Sequence, residues 1–465
     1  MQTDKNKLSL MEKVESLAKR RGFIFPSSEI YGGFSSTYDY GPLGVELINN
    51  IKQAWWQSMV QLRNDIYGID SAIIMHPKIW EASGHVENFS DPLVDCKVCK
   101  KRFRAEHLLE ADSIKPDLDG QREVPKDFKN MVCPACGGEL TQPRNFNLLM
   151  KTFIGAVEGE NSQAYLRGET CQGIYVNYKN ILDSSRAKIP FGIAQIGKAF
   201  RNEITPGNYI FRTREFEQME MQFFVKPTEA KKWFNYWKEQ RIQWYQDLGL
   251  KKDFIRWREH TKNELAHYAK EAWDMEFKSP FGGWKELAGV HNRGNWDLSR
   301  HQEFSGVDLQ YNDQETKEKF IPYVIETSDG VGRSALAFLL NAYEEVETRS
   351  GDDNSKHETE VVLRLHKKLA PIKMAILPLS KKEELQKLSL EIQNKLNSTY
   401  KTQYDETGSI GKRYRRQDEI GTPYCVTVDF ESLEDKQVTV RDRDTMKQER
   451  IAIADIQKYF TKKYL

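Results

Sequence analysis

The residues best suited to chemistry lie in two neighbouring segments. Phe200-Arg201-Asn202-Glu203 is followed, a short loop later, by Phe211-Arg212-Thr213-Arg214-Glu215-Phe216-Glu217-Gln218-Met219-Glu220. At the two-residue period of a strand, the first segment puts Gln195, Gly197, Ala199, Arg201 and Glu203 on one face. The second puts Arg214, Phe216, Gln218, Glu220 and Gln222 on one face, and Met219, Met221, Phe223 and Val225 on the other. Gly197 and Ala199 leave room above a sheet, and Arg201, Glu203 and Glu220 reach into that room. The pattern predicts a β floor for a charged ligand. A half-exposed antiparallel hairpin gives the same alternation.

A third segment has related character. Ile321-Pro322-Tyr323-Val324-Ile325-Glu326-Thr327-Ser328-Asp329-Gly330-Val331-Gly332-Arg333 reads as a strand, a glycine turn and the start of a helix. Glu326 and Ser328 share a strand face, and Arg333 falls in the first helical turn, which favours anions. Gly330 and Gly332 allow a ligand close to the backbone, or simply make a tight turn. No Lys-Ser/Thr pair follows, so a P-loop is excluded. Glu169, Glu220 and Glu326 would form an ammonium pocket if the fold brings them together.

Four of the six cysteines form two pairs, Cys96-x2-Cys99 and Cys133-x2-Cys136. Each pair can offer two thiolates to one tetrahedral centre, so a structural zinc ribbon is expected. Four protein ligands leave no open position for catalysis. Lys412-Arg413-Tyr414-Arg415-Arg416 is a basic cluster around an aromatic, flanked by Tyr404 and Tyr424. Such clusters hold phosphates and stack unpaired bases; a solvated loop has the same composition.

The elements that must position these groups follow from periodicity. A helix is expected over 8–25, with Leu10, Val14, Leu17 and Ala18 on one face. A second follows Gly41-Pro42, with Val45, Ile48, Ile51, Trp55, Met59 and Leu62 at helical spacing. The adjacent Trp55 and Trp56 widen that stripe enough to suit a subunit interface. Residues 86–145 read as an insertion joined by Lys115-Pro116-Asp117-Leu118-Asp119-Gly120. Residues 228–276 read as helical and aromatic, and 349–358 as a linker. Beyond the linker, strands at 373–378, 424–428 and 437–443 and a helix at 381–398 predict a small α/β domain.

At 465 residues the chain is long for one core and suggests two to four domains. With 29% charged and 39% hydrophobic residues, it fits neither a membrane protein nor a disordered one. No apolar run approaches the ~18 residues of a spanning helix. The N-terminus lacks an apolar signal core, so a cytoplasmic setting is expected. A net charge of +1 says nothing about nucleic acid, so any such surface must be local.

Together these segments resemble the class II aminoacyl-tRNA synthetases. Phe200 to Glu203 with Arg212 to Glu220 resembles their motif 2, Gly330-Val331-Gly332-Arg333 motif 3, and Gly41-Pro42-Leu43-Gly44 with its helix motif 1. Several stretches are similar to the homodimeric glycyl branch of that family: Tyr38-Asp39-Tyr40-Gly41-Pro42-Leu43-Gly44, Phe103-Arg104-Ala105-Glu106-His107-Leu108, Arg167-Gly168-Glu169-Thr170, Phe216-Glu217-Gln218-Met219-Glu220 and Glu326-Thr327-Ser328-Asp329-Gly330. Gly408-Ser409-Ile410-Gly411-Lys412-Arg413-Tyr414 resembles the anticodon-binding domain of the related histidyl, prolyl and threonyl enzymes. The resemblance spans almost the whole chain.

The resemblance implies an α+β fold. An antiparallel sheet flanked by helices (1–85 and 146–348, with a helical insertion at about 228–315) would carry a zinc-ribbon-like insertion at 86–145. An α/β anticodon-binding domain would occupy 359–465. It implies ATP-dependent attachment of glycine to tRNA(Gly) through a glycyl-adenylate, in a soluble homodimer. Arg201, Glu203 and Arg333 would be catalytic. ATP would meet Arg201, Asn202, Glu203, Phe211, Arg212, Thr213, Arg214, Glu215, Phe216, Gly330, Val331, Gly332 and Arg333, with Glu286 and Leu287 serving ATP and its Mg2+. Glycine would meet Arg104, Glu169, Phe216, Glu217, Gln218, Met219, Glu220, Arg293, Glu326, Thr327, Ser328, Asp329 and Gly330. Glycine has no rival smaller than itself, so no editing domain is expected. Many members of the family run through the insertion without four cysteines, so the zinc ribbon rests on Cys96, Cys99, Cys133 and Cys136 themselves.

Overall fold

The structure, a computed structural model, describes residues 8–108, 131–156, 162–203, 207–262, 264–266, 269–347 and 359–464. Helix α1 (Leu10–Arg21) opens on a capping box between Ser9 and Glu12 and closes at Gly22 in the left-handed region. Helix α2 (Pro42–Trp56) carries Pro42 in its first turn, where the missing N–H has no helical partner to lose. Ile48, Ile51, Trp55 and Met59 are buried within this chain, whereas Val45 and Leu62 at the ends of the stripe are exposed. Both tryptophans are used internally, because Trp56 lies over Gly68.

The main sheet has seven strands. They are β1 (Ile66–Gly68), β2 (Phe191–Phe200), β3 (Glu215–Val225), β4 (Ile255–Glu259), β5 (Glu271–Lys278), β6 (Trp284–Gly294) and β7 (Tyr323–Gly330). Their spatial order is β4-β5-β6-β7-β3-β2-β1, antiparallel throughout except for β1 against β2. Met219, Met221, Phe223, Val290 and Ile325 on one face join the largest core with α2 and with the helices Ala230–Asp247 and Val331–Ala342. The other face is apolar at one end, where Phe191, Ile193, Phe224 and Val324 pack under the helices Cys171–Ser185 and Trp296–Ser305. Elsewhere that face is polar, and the site lies there.

The expected helical segment at 228–276 is helical only as far as Asp247. Trp257 and Trp273 sit on β4 and β5, and β4 to β6 belong to the central sheet. The stretch 228–315 is therefore not a helical insertion. Its aromatic residues suggested core, and the core they enter is made largely by strands. Their alternation was obscured because several partly buried aromatics break the two-residue period.

In the insertion, Ser90–Asp95 pairs with Arg102–Arg104 on one side and Arg144–Asn147 on the other. The last strand crosses the boundary expected at 145. The polar connection 115–120 and the linker 349–358 lie outside the described residues.

C-terminal to the linker, five strands in mixed pairing form a second sheet. They include Met374–Pro378, Thr402–Tyr404 and Tyr424–Val428, with the helices Glu383–Asn397 and Ile410–Ile420. This part has its own core around Ile376, Leu385, Val426 and Phe460. The strands Tyr343–Glu347 and Thr359–Leu363, on either side of the linker, pair antiparallel. Leu363, Leu365, Leu369 and Ile372 pack in the main core, so a cut at 359 would remove apolar residues from the catalytic part.

Candidate active site

Alternation along β3, β6 and β7 builds the site floor. Glu220 faces Ser328 and Gln222 faces Glu326 across β3 and β7; His291 faces Glu326 and Gly289 faces Ser328 across β6 and β7. The chain leaves β2 at Phe200, so Arg201 and Glu203 stand on the segment just beyond the strand. These elements surround a cavity of about 340 Å3. Of the residues expected in the site, Glu169, Arg201, Glu203, Arg212, Thr213, Phe216, Glu217, Gln218, Glu220, Glu286, Leu287, Arg293, Glu326, Ser328, Gly330, Gly332 and Arg333 line it.

Others do not. Met219 is buried in the core on the opposite sheet face, as are Thr327 and Asp329. Asp329 accepts hydrogen bonds there from Trp55, Arg241 and Tyr245 at 3.0–3.1 Å, which ties the sheet to its helices. Each is one residue out of phase with the lining set, and strand geometry sends it to the other side. Glu215 pairs with Lys198 at the surface, and Arg214 donates to the carbonyls of Glu203 and Ser35. Asn202 is placed by its backbone N–H to Leu148, and Val331 is buried. Phe211 lies under the Arg333 guanidinium, 4.7 Å from ring centre, without lining the cavity. The side chain of Arg104 lies outside the described part of the structure.

The room expected above Gly197 is not ligand space. A Cβ there would come within 2.2 Å of the Arg167 guanidinium, which crosses the strand to reach the carbonyls of Lys198 and Ser71. Sequence reasoning also missed Leu148, Ile210, Gly289 and His291, all of which line the cavity. His291 had a signal, since it precedes Arg293 by one strand period. His85, which meets Glu169 at 3.2 Å, had none, because only the fold brings it there.

The cavity has two halves. In one, the Arg201 guanidinium sits between the Phe89 and Phe216 rings, 5.2 and 5.4 Å from their centres, and donates to the Gly168 carbonyl. Arg333 pairs with Glu286 at 2.9 Å, and Arg212 lies 3.8 Å from Glu203. In the other half, Glu169, Glu220 and Glu326 converge. Glu326 accepts from His291 at 2.7 Å, Gln222 at 2.8 Å and Arg293 at 3.2 Å. Burial alone would raise its pKa, but Arg293 and His291 outweigh burial and hold the carboxyl at about 2. Glu169 is also held well below the usual range, with burial outweighed by His85 and Arg293. Glu220 shifts the other way, because burial and the charges of Glu326 and Glu169 push it well up. Burial and mutual repulsion thus favour charge on Glu169 and Glu326 and disfavour it on Glu220.

At the insertion, the four Sγ atoms of Cys96, Cys99, Cys133 and Cys136 lie within 4.8 Å of one another. The separations Cys96–Cys136 and Cys99–Cys133 are 3.5 and 3.6 Å. Disulfide sulfurs would be about 2.0 Å apart, whereas four thiolates about 2.3 Å from one tetrahedral centre stand roughly 3.8 Å apart. The donor set therefore fits zinc. The basic cluster at 412–416 is only partly open: Lys412 is exposed, Arg415 and Arg416 are half-buried, and Arg413 is buried. The cluster lies on the helix Ile410–Ile420, with Arg413 donating to the carbonyls of Pro378, Leu379 and Asp405. Arg416 pairs with Asp405, Arg415 with Glu360, and the Tyr414 hydroxyl with Thr427.

An antiparallel floor with an arginine entering from a strand end and another from the first turn of the following helix defines a class II aminoacyl-tRNA synthetase core. Residues 156–343 match the family described as "tRNA synthetase class II core domain (G, H, P, S and T)", and residues 373–463 match "Anticodon binding domain". A prolyl-tRNA synthetase from Cryptosporidium parvum, solved with halofuginone and AMPPNP, superposes with a TM-score of 0.63. It is 16% identical and covers 99% of this chain and 78% of its own, so it speaks for the fold alone.

Within that class the chain belongs to the glycine–tRNA ligase family. It is 58% identical to the glycine–tRNA ligase of Treponema denticola over 95% of this chain and 94% of that one. It is 53% identical to that of Thermobifida fusca over 98% of both.

Proposed function

We propose that this chain joins glycine to tRNA(Gly) in two steps. A glycine carboxylate oxygen attacks the α-phosphorus of ATP, the bond to the bridging oxygen breaks, and pyrophosphate leaves. The terminal ribose hydroxyl of the tRNA then attacks the glycyl carbonyl, and AMP leaves. The observation that carries this reading is that Arg201, Glu326 and Arg333 line one cavity with its cationic and acidic halves side by side.

No side chain becomes covalent, so catalysis is positioning plus stabilisation of charge on phosphate oxygens. Arg201, held between two rings, is placed for the α-phosphate and the glycine carboxylate. Phe216 offers a stacking face for adenine, and Glu203 an acceptor for its amino group. Arg333 would take the other adenine face or the γ-phosphate. Glu169, Glu220 and Glu326 hold the ammonium group, and the buried floor around them rejects larger amino acids by overlap. Magnesium, which prefers few carboxylates and keeps its water, would be served by Glu286 at the cavity rim. Zinc on the four cysteines would fasten the insertion.

Assembly as a homodimer and a cytoplasmic setting belong to the same reading; among the described residues no helix is long and apolar enough to cross a membrane. Light scattering on the purified chain checks the dimer. The activity is tested by charging a tRNA(Gly) transcript with labelled glycine. Charging with glycine and not with alanine is expected, and absence of glycine charging by folded protein overturns the reading.

A further inference from the structure

One group in the acidic half has no part in the reading so far. The imidazole of His291 lines the cavity, with Nδ1 2.7 Å from Glu326 and Nε2 3.9 Å from Asp274. Asp274 is itself held by His260 at 2.8 Å and by Arg258 at 3.1 Å. A row of charge thus crosses β4, β5, β6 and β7 and ends on the carboxylate placed for the substrate ammonium.

Three observations give His291 a role distinct from that of Arg293. Arg293 is committed elsewhere: its Nε and Nη2 grip Asp297 at 2.7 and 2.8 Å, and it reaches Glu326 through Nη1 at 3.2 Å. The shorter contacts to Glu326 come from His291 and from the neutral Gln222. Second, the ring fits because position 289 is glycine. A Cβ there would stand 2.8 Å from Nε2 and 2.9 Å from Cε1 of His291, so the ring would have to move. Third, burial disfavours charge on His291, but Asp274 and Glu326 outweigh it and raise the imidazole to about 9, so it is a cation at neutral pH.

We propose that His291, braced by Asp274 and given room by Gly289, is a positioning residue that aims the Glu326 carboxylate at the ammonium group of the amino-acid substrate. The inference rests on the ligase reading. With the ring gone, Glu326 keeps Gln222 and a shared arginine, and it can turn within the cavity. The charge also matters, because three acids around one small pocket otherwise repel one another.

The test is glycine-dependent exchange of pyrophosphate into ATP, with full-length H291A, H291N and G289A. A hydrogen bond to a charged group governs about a ten-fold change or more. H291A is expected to raise KM for glycine about ten-fold, with KM for ATP within two-fold of wild type. H291N places an amide where Nδ1 was and should recover part of the loss. G289A removes no donor or acceptor, and should raise KM for glycine by displacing the ring. Glycine KM values within two-fold of wild type in H291A and G289A overturn the proposal, as does equal loss for glycine and ATP. If H291A does not fold, the His291 ring signal of wild type, followed by NMR against pH, decides. Loss of charge near 6.5 overturns the clamp, and retention of charge past pH 8 supports it. No exchange by wild type overturns the ligase reading and this one with it, which separates the two failures.

Discussion

Arg201 and Arg333 stand over a cavity of about 340 Å3, the first between two aromatic rings and the second above Phe211. Arg413, in the most basic run of the C-terminal domain, is buried and gives its N–H groups to three main-chain carbonyls. The same residue type has opposite uses. In the catalytic half, the rings of Phe89, Phe216 and Phe211 support the arginine planes at the cavity, while Arg201 gives Nε to the Gly168 carbonyl and Arg333 gives Nε to the Phe211 carbonyl and pairs with Glu286 at the rim. In the C-terminal half, the donors close the ends of strands and loops. A basic run in sequence therefore tells where positive charge is, and the packing tells whether a ligand can reach it.

The largest test of that contrast is Arg201→Ala. Removing a positioned donor from a phosphoryl-transfer site lowers the rate by about 10²–10³-fold. Pyrophosphate exchange should fall by that much while tRNA affinity holds; equal loss of both would place Arg201 with the structural arginines. Arg413→Ala should act through folding. The carbonyls of Pro378, Leu379 and Asp405 lose their donor, for a loss of about 2–4 kcal/mol. Denaturant unfolding should show it, with adenylate formation at 25 °C little changed. A stable Arg413→Ala protein with weakened tRNA binding would break the comparison.

Glu220→Gln sharpens it from the acidic side. The folded-state pKa of Glu220 is raised, so its contribution to stability is full below the ordinary carboxyl value and is lost as pH rises through the raised one. At pH 7 the native acid therefore costs stability, and the amide should raise Tm by about 2 °C while weakening glycine binding. For the same reason, glycine binding by wild type should release a proton, visible in calorimetry across buffers of different ionisation enthalpy. A lower Tm for Glu220→Gln would contradict the assigned direction. The smallest effect on chemistry is expected for Cys99→Ser. Freshly purified wild type should hold one zinc per chain, and the variant should lose it and unfold its insertion more readily. Exchange should stay within about two-fold, since the four-sulfur site has no open position.

Much of the site was legible because strand alternation is local. Glu220, Glu326 and Ser328 were placed on the right faces from period two, and the structure brings their strands together. The same periodicity shows why Met219, Thr327 and Asp329 are misplaced if whole motif stretches are carried over. Each is one position out of phase and belongs to the opposite core. Gly197 was read correctly as a place needing room, but the room serves Arg167, a partner thirty residues away in sequence. The strands at 255–259 and 271–278 were hidden by tryptophans and arginines that break alternation while satisfying tertiary contacts. The boundary at 359 was drawn from composition, and composition does not register that Leu363 to Ile372 pack back into the main core.

A crystal structure with glycine and a non-hydrolysable ATP analogue tests the central claim most directly. The account predicts the glycine ammonium among Glu169, Glu220 and Glu326, its carboxylate toward Arg201, and the triphosphate between Arg201 and Arg333. Ligands bound outside this cavity, or a triphosphate that touches neither arginine, would contradict it.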